Sequence, residues 1–168
     1  IALNLLDLEQ IEAYKHNPTI YVEMIGNGLF PLFAIEFDSE LKHRYFYIIR
    51  RMENIPKAVA QAKANLESAP EIWIKVAQGE NDGNIALIDD TLRKACPPAI
   101  RESFDKAAEK SLKALREFNA WLGTDLAKRP YDWRLRPDLY ERKFELTMGQ
   151  KPGEVLATAE QALKDVRA

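Results

Sequence analysis

Apolar residues recur along most of this chain at three- and four-residue steps, the spacing that gathers them on one side of an α-helix. The pattern is clearest between Ile100 and Leu122, where Phe104, Ala108, Leu112, Leu115, Phe118 and Leu122 keep it for about five turns. Leu41, Tyr45, Ile48, Ile49 and Met52 form a second stripe, in a helix expected to begin at Asp38 or Ser39. Leu3, Leu6, Leu8, Ile11 and Tyr14 predict a first helix. It should stop near His16-Asn17, because Pro18 disfavours helical geometry at the residue before it. Thr19 is placed to cap the next helix, through Tyr21, Val22, Met24 and Ile25. Gly26, Gly28 and Pro31 interrupt that segment. No apolar–polar alternation runs from Ile20 to Phe37, so a kinked, largely buried helix is expected there over a strand pair.

Prolines punctuate the remainder. Ile55-Pro56 is expected to end one helix and open another, since a first helical turn does not need the missing N–H. Val59, Ala62 and Leu66 continue the core face, with Asn65 close to it. Pro70 precedes a helix through Ile72 and Val76, whose polar middle QGENDGN (residues 78–84) suggests a loop or a weakened turn. Ile85, Ile88 and Leu92 then resume the spacing until Pro97-Pro98. Asp125 to Pro130 is a connector; Pro137 opens a helix that Gly149 closes. The last helix follows Pro152, with Val155, Leu156, Ala159, Leu163 and Val166 expected to face inward. The sum is an all-α chain, a multi-helix bundle of about seven helices, mostly antiparallel, forming one helical domain over residues 1–168.

Composition narrows the partners. With 168 residues, 46% of them apolar and 30% charged, the chain can bury a core without a metal or a disulfide. Its 24 basic and 26 acidic residues leave a net charge of −2, too little to gather nucleic acid or anionic lipid, so no nucleic-acid partner is expected. No apolar run approaches the ~20 residues of a membrane span. Cys96 is the sole cysteine, which excludes an internal disulfide. The opening IALNLLDLEQI has neither a basic segment nor a small-residue cleavage site, and it starts on an apolar residue without methionine. The chain is therefore expected to be a piece of a longer polypeptide.

Candidate chemistry is sparse. His16 and His43 are far apart and neither belongs to a His-Glu-x-x-His helix, so the zinc signature is missing. His43, between Lys42 and Arg44, fits a solvated face; His16 fits a helix end, where a cationic ring suits the dipole. Cys96 precedes two prolines without a recognisable base and fits a small apolar residue at a helix end. Gly26-Asn27-Gly28 lacks the Lys-Ser/Thr of a phosphate loop and suits a close approach of helices. Lys106, Lys110 and Lys113 alternate with Asp105, Glu109 and Glu117 as on a solvated face. No catalytic residue, metal ligand or cofactor is assigned to this chain.

Two constellations survive. Arg50 and Arg51, with Glu53, stand just before Ile55-Pro56. The structural reading, which is favoured, is a clamp on exposed carbonyls or on a carboxylate. The functional one is an arginine lining a substrate cleft and meeting a peptide carboxylate. Trp133, Arg134 and Tyr140, with Tyr131, Asp132 and Leu135, form the second. Aromatics this dense favour anchoring of a loop to the core; the alternative is a recognition surface, where Trp, Tyr and Arg are enriched.

Four segments carry a family likeness: NPTIY (Asn17–Tyr21), RRMENIP (Arg50–Pro56), AKANL (Ala62–Leu66) and WRLRPDLY (Trp133–Tyr140). In this order the chain resembles the N-terminal helical region of bacterial domain-of-unknown-function family 885. One departure is Arg136, where the resemblance would place glycine. The resemblance implies that full-length members are relatives of zinc metallopeptidases, with a His-Glu-x-x-His helix in a later region. Zinc would belong to that longer parent, and no position here matches a ligand. For this chain the resemblance implies a non-catalytic N-terminal helical scaffold or lid beside a peptide cleft. Its partners would be the C-terminal remainder of its own chain and a peptide substrate. The alternative is an independent helical adaptor that binds a protein through an exposed groove. A stand-alone enzyme with a dispersed carboxylate site is a third reading, recognisable by clustered carboxylates with strongly shifted pKa values.

Overall fold

The computed structural model describes residues 1–35 and 40–167. The expected helix start at Asp38 or Ser39 and the position of Phe37 lie outside the described residues. Along the chain run α1 (Ala2–Leu6), α2 (Ala13–His16), α3 (Thr19–Ala34), α4 (Leu41–Asn65), α5 (Glu71–Ala86), α6 (Arg93–Ala95), α7 (Arg101–Thr124), α8 (Pro137–Met148) and α9 (Pro152–Arg167). Among the described residues the fold is all-α, and β-type pairing is confined to an isolated bridge between Ala69 and Pro130. The chain forms two compact units. One comprises Tyr14–Asp132; the other joins Ile1–Ala13 to Trp133–Ala168.

In the larger unit α7 packs against α4 and α5, and α3 packs against the same two helices. The α7 stripe is buried as its spacing requires: Phe104, Leu115, Phe118 and Leu122 are inaccessible to solvent. From α4 come Tyr45, Ile48, Ile49, Met52, Ile55, Val59 and Ala62. Burial of such side chains contributes about 1.5–3 kcal/mol each before conformational entropy is charged against it.

The expected break at Ile55-Pro56 does not occur: α4 continues through Pro56 to Asn65. A proline inside a helix removes the donor for the carbonyl four residues back and pushes its ring against it. Here that carbonyl belongs to Met52, and the buried Ser111 hydroxyl of α7 donates to it at 2.8 Å. A neighbouring helix thus supplies the hydrogen bond the proline withholds. Helix α3 likewise runs unbroken through Gly26, Gly28 and Pro31, and it buries only Tyr21, Val22, Ile25 and Leu29, leaving Met24 and Phe30 exposed. Its start is capped by Asn17, whose Oδ1 accepts from the Thr19 amide at 3.0 Å and from the Thr19 hydroxyl at 2.8 Å.

The polar stretch 78–84 is neither loop nor weakened turn but the second half of α5. Asn81 and Asn84 are buried in it because each meets a main-chain acceptor. Asn81 Nδ2 donates to Leu115 O at 2.9 Å and to Asn119 Oδ1 at 2.8 Å, and Asn84 Nδ2 donates to Val22 O at 2.9 Å. Gly26 makes room for the second asparagine: a Cβ there would lie 2.6 Å from Asn84 Oδ1. After α5 the chain takes a π-helical turn over Leu87–Leu92. The Cys96 amide bonds to Arg93 O, three residues back, so Leu92 O lacks its helical donor and accepts the Tyr45 hydroxyl at 2.7 Å. Pro97 has no N–H to offer, and Arg101 reaches back to donate to Arg93 O and, at 3.0 Å, to Cys96 O.

In the smaller unit α1 passes into a π-helical turn, Asp7–Ile11, that ends at Glu12 in left-handed conformation (φ 51°). Helix α1 packs on α8, and Lys143 Nζ pairs with Asp7 Oδ1 at 2.7 Å. Gly149 closes α8 with φ 71°, a region open to glycine at little cost. Helix α9 forms where expected but does not face inward: none of its residues is buried, and Leu156, Ala159, Leu163 and Val166 are all exposed. The periodicity identified a stripe correctly; a covering surface is a separate matter.

Candidate functional site

Helices α3 and α4 leave between them a groove of 260 Å³, lined by Met24, Ile25, Gly28 and Leu29 on one side and Arg51, Asn54, Ile55 and Ala58 on the other. The α4 residues sit three, four and seven positions apart, on one face of the helix. The Arg51 guanidinium donates to Gly28 O across the groove. Pro31 leaves the neighbouring carbonyl, that of Asn27, without its helical donor. A guanidinium has five N–H donors; among the described residues Arg51 meets no carboxylate. Asn54 Nδ2 donates to Arg50 O at 2.8 Å.

Arg50, next to Arg51 on α4, does not line this groove. Arg50 pairs with Glu53 at 3.7 Å and lies over the Phe46 ring at 6.0 Å. Phe46 packs edge-on against Tyr47, and both rings are 59% exposed, so α4 carries an uncovered aromatic cluster. Trp133, Arg134 and Tyr140 belong to the smaller unit. Arg134 lies 5.4 Å from the Trp133 ring centroid. Tyr140 lines an apolar recess of 300 Å³ with Leu135, Lys143, Phe144, Thr147 and Met148. Trp133 and Tyr140 remain about half exposed, so neither anchors a loop to a core. The aromatic that does anchor is Tyr131, whose ring stacks on His16 with centroids 3.8 Å apart. His16 Nδ1 shares a hydrogen bond with Ser68 Oγ at 2.9 Å, and the Lys15 carbonyl accepts the Glu67 amide at 2.9 Å. This joint went unseen because its members lie in three separate stretches. His43 is exposed, as expected.

Electrostatics adds little chemistry. Burial pushes the Cys96 thiol up, away from the reactive thiolate. Glu80 is raised by burial first and by Glu23 second, whereas Glu71 and Glu102 are lowered by hydrogen bonds from Lys75 and Lys106 on the surface. Burial lifts Tyr45 to about 12. Among the described residues no three His, Cys, Asp or Glu side chains converge as a metal site would require, and no helix is long and apolar enough to cross a membrane.

The chain is similar to a solved structure from Shewanella oneidensis, a candidate lipoprotein of unknown function, with a TM-score of 0.79 and 21% identity. The match covers 95% of this chain and 31% of that one, so the likeness is one of fold and spans under a third of the neighbour's length. No functionally curated protein matches. The order of the four motif segments, the helical architecture and a family profile that matches residues 4–168 agree: the chain belongs to the family described as bacterial protein of unknown function, DUF885.

Proposed function

We propose that this chain is a non-catalytic N-terminal helical scaffold or lid of a larger, metallopeptidase-like hydrolase. The observation that carries the reading is α9: a regular stripe of Leu156, Ala159, Leu163 and Val166 lies open to water. Amphipathic helices hold such stripes against another surface, and the remainder of a longer chain would supply one. The fate of the polar side chains agrees with a supporting role. Arg44, Arg51, Arg101, Ser111, Asn81 and Asn84 all donate to main-chain carbonyls and tie helices together. Zinc, if the parent uses it, would be held by residues outside this chain.

Leu163→Asp tests the reading. In this chain alone the substitution should cost no more than about 1.5 kcal/mol, the penalty of an aspartate near a helix C-terminus. In the complete gene product it should lower the melting temperature and accelerate hydrogen exchange throughout α9. Equal, fast exchange of α9 in both contexts would refute the scaffold assignment. Metal analysis and peptidase assays of the complete product separately test the hydrolase assignment.

The adaptor reading keeps one observation of its own, the uncovered Phe46–Tyr47–Arg50 cluster on α4. Residues of these types dominate the energetics of many protein interfaces. Protection of Phe46 and Tyr47 by a separate protein, with α9 unaffected, would favour it.

A further inference from the structure

We propose that the α3–α4 groove binds a free, low-molecular-weight apolar carboxylate, whose charge meets Arg51 and whose apolar part lies over Ile25, Leu29 and Ile55. The groove combines two properties that separately would mean little. Its floor is aliphatic, from residues that are themselves part of the core. Among the described residues its lining includes one cationic side chain, Arg51, with Asn54 beside it, and neither Asp nor Glu. Charge complementarity therefore selects an anion, and the apolar floor excludes a bare inorganic one.

The guanidinium is also prepared in advance. Its bond to Gly28 O fixes one end against α3, while its remaining donors have no carboxylate among the described residues. A planar fork held in this way is ready to pair with a carboxylate through its remaining N–H groups. Size sets the upper limit. At 260 Å³ the groove falls below the ~300–1,000 Å³ typical of drug-sized ligands, which leaves room for one compact apolar group and its acid. N-acetyl-leucine has those dimensions and that charge. The inference rests on the groove alone and does not require the scaffold reading, so either can fail without the other.

The test is titration of the full chain with N-acetyl-leucine and with N-acetyl-leucinamide, followed by NMR shifts of the Gly28 and Ala58 amides and the Arg51 side chain. Saturable shifts are expected with the acid, and binding of the amide should be at least about threefold weaker, the loss expected for a partly solvated charge-assisted bond. Arg51→Gln, which keeps a donor for Gly28 O, should reduce the acid to the amide's affinity. Ala58→Phe should block both ligands by filling the groove. If either variant fails to fold, the acid–amide comparison on the unaltered chain still decides. Three results would overturn the proposal: acid and amide bind alike, neither gives a saturable shift at millimolar concentration, or a longer peptide ending in leucine binds more than about tenfold tighter than the free acid. The last would make the occupant a chain end rather than a small molecule.

Discussion

Removing the Ser111 hydroxyl should cost far more than a serine-to-alanine change in a helix normally does, and the excess should depend on Pro56. In an unbroken α4 the Met52 carbonyl would accept the amide of residue 56; proline has none, and the Ser111 hydroxyl takes its place at 2.8 Å. Met52 and Ser111 are both inaccessible to solvent, so no water can substitute. Ser111 Oγ also approaches Ala107 O at 2.7 Å, but that carbonyl lies four residues back in the same helix and has its own helical donor. The proton is needed at Met52. A buried carbonyl left without a partner costs about 1–3 kcal/mol, while alanine's better helix propensity returns a few tenths. Ser111→Ala should therefore destabilise by about 1–2 kcal/mol, or about 0.5–1 M in urea midpoint at a slope near 2 kcal/mol/M.

A double-mutant cycle isolates the cause. Pro56→Ala restores an N–H aimed at Met52 O, so in that background the loss of Ser111 should cost about 1 kcal/mol less. The propensity gain of alanine at 111 is common to both arms and cancels. Fluorescence in a Trp133→Phe background confines the signal to Trp73 and Trp121, which share the compact unit of Ser111. Equal costs in the two backgrounds, within about 0.5 kcal/mol, would show that the hydroxyl is not serving the carbonyl orphaned by proline.

Three further outcomes follow from other joints. Gly26→Ala places a Cβ 2.6 Å from Asn84 Oδ1 and should destabilise by about 1–3 kcal/mol, whereas Gly28→Ala meets open space and should be neutral or stabilise by up to about 1 kcal/mol; parallel thermal melts compare them. Tyr45, raised by burial from 10.0 to about 12, favours the protonated phenol in the folded state. Its contribution is complete below pH 10 and declines as pH rises towards 12, so Tyr45→Phe should flatten the fall in stability across that window, measured as the difference between the two urea-midpoint profiles. Tyr45→Phe should also cost about 1 kcal/mol at neutral pH, because Leu92 O loses its donor.

The helices themselves were legible because the 3–4 spacing of apolar residues survives whatever packs against them. Phe104 to Leu122 and Tyr45 to Met52 are buried as their positions require. Errors came where a local rule was overridden by a distant partner. Pro56 costs a helix its hydrogen bond, but Ser111 of another helix replaces it. Asn81 and Asn84 favour loops in isolation, but Leu115 O and Val22 O offer buried acceptors that make a helix tolerable. The same limit applied to the site. Arginine at 51 announced a clamp on a main-chain carbonyl, and it donates to Gly28 O inside α3; nothing in the order of residues says which one it would find. Trp133 and Tyr140 show the reverse failure, since aromatic density predicted burial that the fold does not supply.

Helix α9 is the most instructive case, because local and tertiary information separate there completely. It is shorter than α7, but the two helices have nearly the same amphipathic pattern. Yet α7 buries its stripe among α4 and α5, and α9 buries nothing. A stripe left largely open to water contributes only part of the ~25 cal/mol per Å² that full burial would bring, so this chain gains little from keeping it apolar. A side chain such as Val166, 85% exposed, becomes useful only when another surface arrives. One part of that coupling is measurable: if Leu163→Asp costs more in a longer product than in this chain, the difference is what the covering surface adds at that one position.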